Sequence, residues 1–267
     1  MRKGNTLYYL FLPFFVVYII FILTPVIRIL TFQSFTYLVG SGTSGIWKSI
    51  YYTYLLALVV GLVSVGFSIP YVYFTSRNGS KTVKALDSLV ELPIMIPHTV
   101  VGVMMLILLE PSMPLGSFIA RIIPGYQFDD TFFAVIVTLL FLSSAYTIRS
   151  VQLAYARDTM KFENMARTLG LSASRSFFIV AIPIMWKSIL RGLVLTWARS
   201  ISEVGSLLIV AYYIFPSLVQ LAGVYIYSQI NSGGLSPAVA SSSILILSGI
   251  VTLFAVKLLE SGNDRIR

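Results

Sequence analysis

Two ionisable side chains stand out because they lie four residues apart in an otherwise apolar stretch. Arg199 and Glu203 fall within residues 182–210, a segment long and apolar enough to cross a bilayer. On an α-helix this spacing places both side chains on one face, where they can form an ion pair. Ionisable groups are costly inside a membrane and indicate function, but the same pair could equally fix this helix to its neighbours. The sequence leaves both interpretations open.

Prolines and hydroxyl groups enlarge this set of candidate residues. Pro93 and Pro97 lie four apart at the start of another apolar stretch, where each removes a backbone donor and bends a helix. Backbone carbonyls that lose their partners at membrane depth must be buried or face water. This requirement favours a segment that forms a pathway wall or a hinge. The alternative is the simple start of a helix with N-terminal prolines. The candidate pathway or gate residues are Pro93, Pro97, His98, Thr99, Arg199, Ser202, Glu203 and Ser206.

The residue types that catalysis or metal binding needs are scarce. The chain has one histidine, His98, and no cysteine, so we predict neither catalytic residues nor a metal site, and a packed or hydrogen-bonded His98. The motif Gly-x4-Gly-Lys-[Ser/Thr] of phosphate loops is missing, because Gly79-Ser80-Lys81-Thr82 lacks the first glycine at the required spacing. If this chain moves a solute with ATP, a partner must supply the energy.

The composition predicts the elements that position these residues. The chain has 267 residues, of which 57% are hydrophobic and 11% charged, whereas soluble domains are about 25% charged. This excludes a cytosolic enzyme, a disordered protein and a nucleic-acid-binding domain, despite a net charge of +9. We predict an all-α polytopic membrane protein with one transmembrane domain over residues 1–267. The six predicted transmembrane helices are approximately 7–30, 50–75, 92–109, 132–148, 182–210 and 237–259.

The basic residues predict the orientation. Lysine and arginine favour the cytoplasmic side of a membrane, and with a cytoplasmic N-terminus only Lys48 and Arg121 of the 19 basic residues fall in outside loops. Arg2 and Lys3 precede the first span like the start of a signal peptide, but no small-x-small cleavage site follows, so we expect a retained anchor. Both termini are therefore predicted to be cytoplasmic, in a plasma or inner membrane. The outside loops are too short to form a folded domain.

The longest predicted inside loop, residues 149–181, has a helix–glycine–helix–proline pattern. Gly170 is expected to end a first helix in the left-handed conformation, and Ser172 or Ser174 to cap a second, before Pro183 opens the fifth span. This segment is either an amphipathic connector on lipid headgroups or a helix that docks in a groove of a cytoplasmic partner. The first helix has an apolar face at helical spacing, formed by Phe162, Met165, Ala166 and Leu169.

The same loop resembles that of binding-protein-dependent ABC transporter permeases. Their pattern is Glu-Ala-Ala, three residues, Gly, nine residues and Ile-x-Leu-Pro, and residues 164–183 match its spacing throughout. Asn164 stands where the family has Glu, and Met165 where it has the first Ala. Glu163 lies one residue earlier, on a different helix face. The resemblance covers all six spans in order.

This resemblance implies a cytoplasmic coupling helix, between spans 4 and 5, that sits in a cleft of an ATP-hydrolysing subunit. ATP and Mg²⁺ would bind that partner, and this chain would hold no cofactor. The implied partners are two ABC ATPase subunits, an extracytoplasmic substrate-binding protein and a second permease copy, with a homodimer expected and a heterodimer as the alternative. The implied ATPase-coupling residues are Phe162, Glu163, Asn164, Met165, Ala166, Arg167, Leu169, Gly170 and Pro183.

Two further segments are similar to the subgroup that imports tetrahedral oxyanions. Residues 92–102 resemble its Leu-Pro-x3-Pro-Pro-Thr-Val-x-Gly, with His98 in place of the second Pro of the pair. Residues 198–205 resemble its Ala-Arg-Ala-x-Gly-Glu-Phe-Gly, with Ser202 and Val204 in place of Gly and Phe. The resemblance implies an importer of molybdate or tungstate, with sulfate next. The alternatives are an ABC permease for another small solute, a secondary transporter or channel, and an intramembrane enzyme.

Overall fold

The computed structural model describes residues 6–32 and 44–264, and helices dominate both ranges. Four of the basic residues that support the predicted orientation lie outside the described residues, namely Arg2, Lys3, Arg265 and Arg267. In chain order the α-helices are α1 (Thr6–Thr31), α2 (Ser44–Arg77), α3 (Lys81–Ser88), α4 (Leu92–Met95), α5 (His98–Leu109), α6 (Pro114–Ile122), α7 (Phe132–Ala154), α8 (Met160–Thr168), α9 (Ala173–Ser176), α10 (Ile182–Ile201), α11 (Leu207–Val210), α12 (Ala222–Gly233) and α13 (Leu235–Asp264).

The predicted all-α fold is confirmed. A helical pair, Lys81–Met95 and His98–Leu109, is apolar enough to form one further span but is bent by 114°. The six predicted crossings therefore stay a prediction. Within residues 6–32 and 44–264, five stretches are long and apolar enough to cross a membrane on their own, namely Leu7–Thr31, Gly45–Arg77, Phe132–Ala154, Ala173–Ile201 and Leu235–Lys257.

The predicted third span, 92–109, is not a straight helix. Ile96 is extended, with φ −82° and ψ 133°, and separates α4 from α5. The cause is Pro97, because a proline disfavours the helical conformation at the residue before it. Pro97 then precedes the first residue of α5 as its N-cap.

The helices at the fourth and fifth predicted spans begin and end at other residues than those predictions give. α7 continues through a π-helical turn, Tyr155–Thr159, into α8, so most of the predicted loop 149–181 is helical. A second π-helical turn, Phe177–Ala181, joins α9 to α10 without a break at Pro183. At its other end α10 stops at Ile201 rather than near residue 210.

The described chain divides into two compact units, of which the larger is Ser49–Val224. In this unit α7 and α10 pack along a seam of small and hydroxyl residues. Thr147 and Thr196 share a hydrogen bond of 2.6 Å, and Ser143 and Ser200 one of 2.9 Å. A Cβ added at Gly192 would lie 3.0 Å from the Cα of Thr147. Such close approach is typical of helices that pack inside a membrane.

The smaller unit combines the segments before Ser49 and after Val224. Its longest helices are α1 and α13, which are linked by a hydrogen bond of 3.1 Å from Ser243 Oγ to the carbonyl of Ile29. The apolar side chains of α1 are exposed along most of the helix. This exposure is the pattern of a helix that contacts lipid.

Candidate functional site

The ion pair predicted from sequence forms at the end of α10. Arg199 Nη2 lies 3.1 Å from Glu203 Oε2. The predicted reason, a continuous helix through both residues, is wrong, because Glu203 follows the last residue of α10. It lies in a break, Ser202–Ser206, between α10 and α11. The pair therefore joins the end of a helix to an irregular segment.

Glu203 is the buried member of this group, with only 1% of its side chain exposed. Its second carboxylate oxygen, Oε1, accepts hydrogen bonds of 3.0 Å from both the backbone amide and the hydroxyl of Ser206. An irregular backbone leaves amide groups without helical partners, and a carboxylate satisfies them well. Glu203 thus neutralises Arg199 and also stabilises the break before α11.

His98, the first residue of α5, completes the cluster. Its Nδ1 lies 3.1 Å from Glu203 Oε2, and its Nε2 lies 2.7 Å from Arg199 Nη2. A neutral imidazole protonated on Nδ1 satisfies both contacts, because it donates to the carboxylate and accepts from the guanidinium. Arg199 and His98 remain partly exposed. We call His98, Arg199 and Glu203 the buried-acid cluster.

Two glycines let α5 approach the break closely. A Cβ at Gly205 would lie 3.1 Å from the Cβ of His98, and one at Gly102 would lie 2.8 Å from the carbonyl oxygen of Ser206. Larger residues would force α5 away from the break. The close approach holds His98 against Glu203.

The structure therefore brings together five of the eight predicted pathway residues, namely His98, Arg199, Ser202, Glu203 and Ser206. Ser202 Oγ accepts from Arg199 Nη1 at 3.3 Å. Thr99 is exposed on α5 beside His98, and Pro93 is buried in α4. Pro93 and Pro97 shape the backbone at the bend.

A second candidate site is α8. Its predicted apolar face, which includes the C-cap residue Leu169, is exposed: Phe162, Met165 and Leu169 expose 50%, 60% and 83% of their surface. Asn164 and Arg167 are exposed as well, and Ala166 is half-buried. An exposed apolar face on a short helix indicates a surface that another molecule covers.

Gly170 ends this helical segment as predicted, with a left-handed φ of +97°. The amide of Gly170 donates to the carbonyl of Arg167 at 3.1 Å, and that of Leu171 to Ala166 at 3.2 Å. These two bonds form a Schellman motif, which favours glycine at this position. Of the two predicted caps, Ser172 is the one that accepts from an amide, that of Arg175, at 3.4 Å.

Glu163, placed by the resemblance among the ATPase-coupling residues, turns away from the exposed face and is fully buried. One of its carboxylate oxygens pairs with Arg77 Nη2, and the other accepts from the hydroxyl of Tyr155 at 2.8 Å. Arg77 Nε also donates to the Tyr155 oxygen, at 2.9 Å. Burial, followed by the hydrogen bond to Glu163, raises the pKa of Tyr155 to about 12, so its hydroxyl keeps its proton.

Residues 72–265 match the family described as the inner membrane component of binding-protein-dependent transport systems. The chain belongs to this family. It is therefore a membrane component of a transporter, as the resemblance of its loop implied.

Curated relatives of this family member bear names of oxyanion transporters. The chain is 32% identical over 230 residues to a molybdate/tungstate transport system permease protein of Pyrococcus abyssi, covering 85% of each protein. It is 26% identical to a sulfate transport system permease protein of Synechococcus elongatus, covering 80% of this chain and 76% of that protein. Among solved structures, a bacterial alginate ABC transporter in complex with a periplasmic protein aligns with a TM-score of 0.69 at 17% identity, covering 95% of this chain and 93% of that one. This last likeness shows the fold alone.

Sequence reasoning on this family member missed the partners of Glu163. Neither Arg77, 86 residues from Glu163, nor Tyr155, 8 residues from it, belongs to a sequence motif that predicts these contacts. It also missed a second polar group, in which Arg149 pairs with Asp87 and Glu91, each at 2.7 Å, and so ties α7 to the segment from α3 to α4. A local motif could not reveal either set, because helix packing brings the residues together.

Proposed function

We propose that this chain is the permease subunit of an ATP-driven importer for a tetrahedral oxyanion, molybdate or tungstate first and sulfate next. A binding protein delivers the anion on the outside, and two ATPase subunits bind α8 on the cytoplasmic side. Two permease copies, in the simplest case identical, enclose the pathway at their twofold axis. The names of the curated relatives support the choice of anion.

The exposed apolar face of α8 is the observation that carries the ATPase part of this proposal. Phe162, Met165 and Leu169 present apolar surface next to a glycine-terminated turn. Their position matches the loop pattern of the family, and burying apolar surface contributes about 25 cal/mol per Å². A cleft in the ATPase that covers this face would gain binding energy from it. ATP-driven closure of the two ATPases would then tilt α8.

The buried-acid cluster supports a pathway that passes an anion without trapping it. Arg199 offers positive charge at membrane depth, but Glu203 neutralises it at 3.1 Å. The partly exposed Arg199 has further N–H groups with which it can donate to an oxyanion in transit. A tight site would slow release, since every unbalanced charge strengthens binding in a low-dielectric setting.

The proposal is tested by purifying the tagged chain together with its ATPase and binding protein. In proteoliposomes, uptake of labelled molybdate should require ATP and the binding protein and should be inhibited by tungstate. Uptake driven by an ion gradient without any ATPase would instead identify a secondary transporter. ATP-driven uptake that molybdate, tungstate and sulfate all fail to compete would refute the oxyanion assignment alone.

The orientation can be tested in cells that express the protein, because the chain contains no cysteine. Single cysteines at Lys161 in α8 and at Arg121 in α6 serve as probes of the two sides. We expect a membrane-impermeant thiol reagent to label Arg121→Cys in intact cells and Lys161→Cys only after the membrane is opened. The reverse pattern would contradict a cytoplasmic α8.

A further inference from the structure

The side of α8 that faces the protein carries a polar contact that apolar packing does not require. Glu163 is fully buried, yet it pairs with Arg77 and accepts a hydrogen bond from Tyr155. Removing one partner of a buried pair leaves an uncompensated charge, so such a pair holds its two segments together firmly. Arg77 is the last residue of α2, and Glu163 lies in the first turn of α8. The contact therefore joins α8 to the end of a long helix.

α2 also reaches the segment that carries the buried-acid cluster. Trp197 Nε1 donates to the backbone carbonyl of Tyr54 at 3.1 Å, and the two rings meet edge to face at 5.5 Å. Trp197 precedes Arg199 by two residues on α10. One helix thus contacts α8 at its end and the α10 segment next to the candidate pathway.

Two π-helical turns border α8 and its short neighbour α9. Tyr155–Thr159 precedes α8, and Phe177–Ala181 follows α9. Single π-helical turns often mark functional sites and places where a helix bends. The Phe177 ring packs against Tyr73 of α2 at 4.8 Å, and the Arg77 guanidinium lies 4.6 Å from the centre of the Tyr73 ring. Tyr155 of the first π-helical turn accepts a hydrogen bond from Arg77, and Phe177 of the second packs against Tyr73. Both turns therefore contact the end of α2.

We infer that Arg77, Tyr155 and Glu163 form a coupling anchor that transmits the movement of α8 to α2, and through α2 to the pathway segment of α10. The anchor rests on the proposed function, since it presumes that an ATPase moves α8. Glu163 acts here as a positioning residue: it faces the membrane domain, while Met165 and Leu169 face the ATPase. Resemblance to the family loop alone had grouped all three on the ATPase side.

The test measures molybdate taken up per ATP hydrolysed by the complete complex in proteoliposomes. Glu163→Gln keeps the size of the side chain but removes its charge. We expect this ratio to fall roughly 2- to 30-fold, the span observed for residues that couple distant sites, while the ATPase co-purifies in normal amount. A purely structural role would lower uptake and ATP hydrolysis in proportion and leave the ratio unchanged, which would overturn the inference.

Glu91→Gln is the matched control. Glu91 also pairs with an arginine, Arg149, but it is exposed and belongs to the segment between α3 and α4 rather than to α8. The same chemical change there should leave the uptake per ATP at its original value. An equal fall in both variants would contradict a specific anchor.

A cysteine pair keeps the inference testable if Glu163→Gln fails to fold. In the double variant Arg77→Cys and Glu163→Cys the ion pair is lost, and we expect a low ratio of uptake to ATP hydrolysis. A short bifunctional thiol reagent should restore the ratio, because it ties α2 to α8 covalently. A tether that forms but does not restore coupling overturns the anchor. Failure of the proposed function would look different, because the unaltered protein would then bind no ATPase.

Discussion

Arg199 donates to His98 Nε2 at 2.7 Å, although 101 residues separate the two in the chain. A guanidinium can only donate hydrogen bonds, so the imidazole nitrogen accepts in this contact. Glu203 makes this contact possible because its carboxylate lies 3.1 Å from each of the two basic side chains. The buried-acid cluster is thus organised by its one acidic member, which connects α5, the end of α10 and the start of α11.

Glu203→Gln should therefore destabilise the protein more than any other single change in the cluster. The glutamine keeps one acceptor for Ser206, but it leaves Arg199 without a counter-charge, and we expect a loss of about 1.5–3 kcal/mol. Thermal unfolding of the purified protein measures this loss. The control Glu91→Gln, at an exposed ion pair, should cost less than about 1 kcal/mol. Equal losses in the two variants would contradict the central role of Glu203.

His98→Pro separates the backbone role of this position from its side-chain role. His98 is the first residue of α5, where a helix tolerates proline because the amide there lies ahead of the helical hydrogen bonds. Pro97 has a ψ of 132°, which a following proline accepts. We expect normal membrane insertion and a smaller fall in thermal stability than in Glu203→Gln, but slower uptake of molybdate because Arg199 and Glu203 lose the imidazole that contacts both. Uptake at the original rate would show that the His98 side chain does not contribute to the pathway.

Met165→Glu places a charge in the exposed apolar face of α8. Met165 exposes 60% of its surface, so the monomer should fold unchanged, whereas an ATPase cleft that covers this face would have to bury the new charge. We expect the ATPase to be lost during co-purification. Leu86→Glu on α3, at 58% exposure, is the matched control and should retain the ATPase. Retention by both variants would favour an α8 that lies on lipid headgroups.

Much of the local structure could be predicted from sequence. The apolar face of α8 and the left-handed Gly170 follow from helical spacing and from the conformational freedom of glycine, and both are confirmed. The buried state of Glu163 could not be predicted, because it depends on Arg77 in a distant helix. The break after Ile201 was missed for a related reason. The Glu203 carboxylate accepts a hydrogen bond from the Ser206 amide and so stabilises the break. The hydropathy of the sequence does not reveal this hydrogen bond.

Gly170→Val should uncouple ATP hydrolysis from transport while leaving membrane insertion intact. Its φ of +97° is unfavourable for a β-branched residue, by about 1–2 kcal/mol. A Cβ there meets no atom within 4 Å, so the cost lies in the backbone alone. Relief of this strain would alter the Schellman turn and change the angle at which α8 presents Met165 and Leu169. We expect less molybdate taken up per ATP hydrolysed in proteoliposomes. Gly79→Val is the control, because the space around Gly79 is equally open and its φ is not left-handed. An unchanged ratio of uptake to ATP hydrolysis in Gly170→Val would show that the turn does not set the docking geometry.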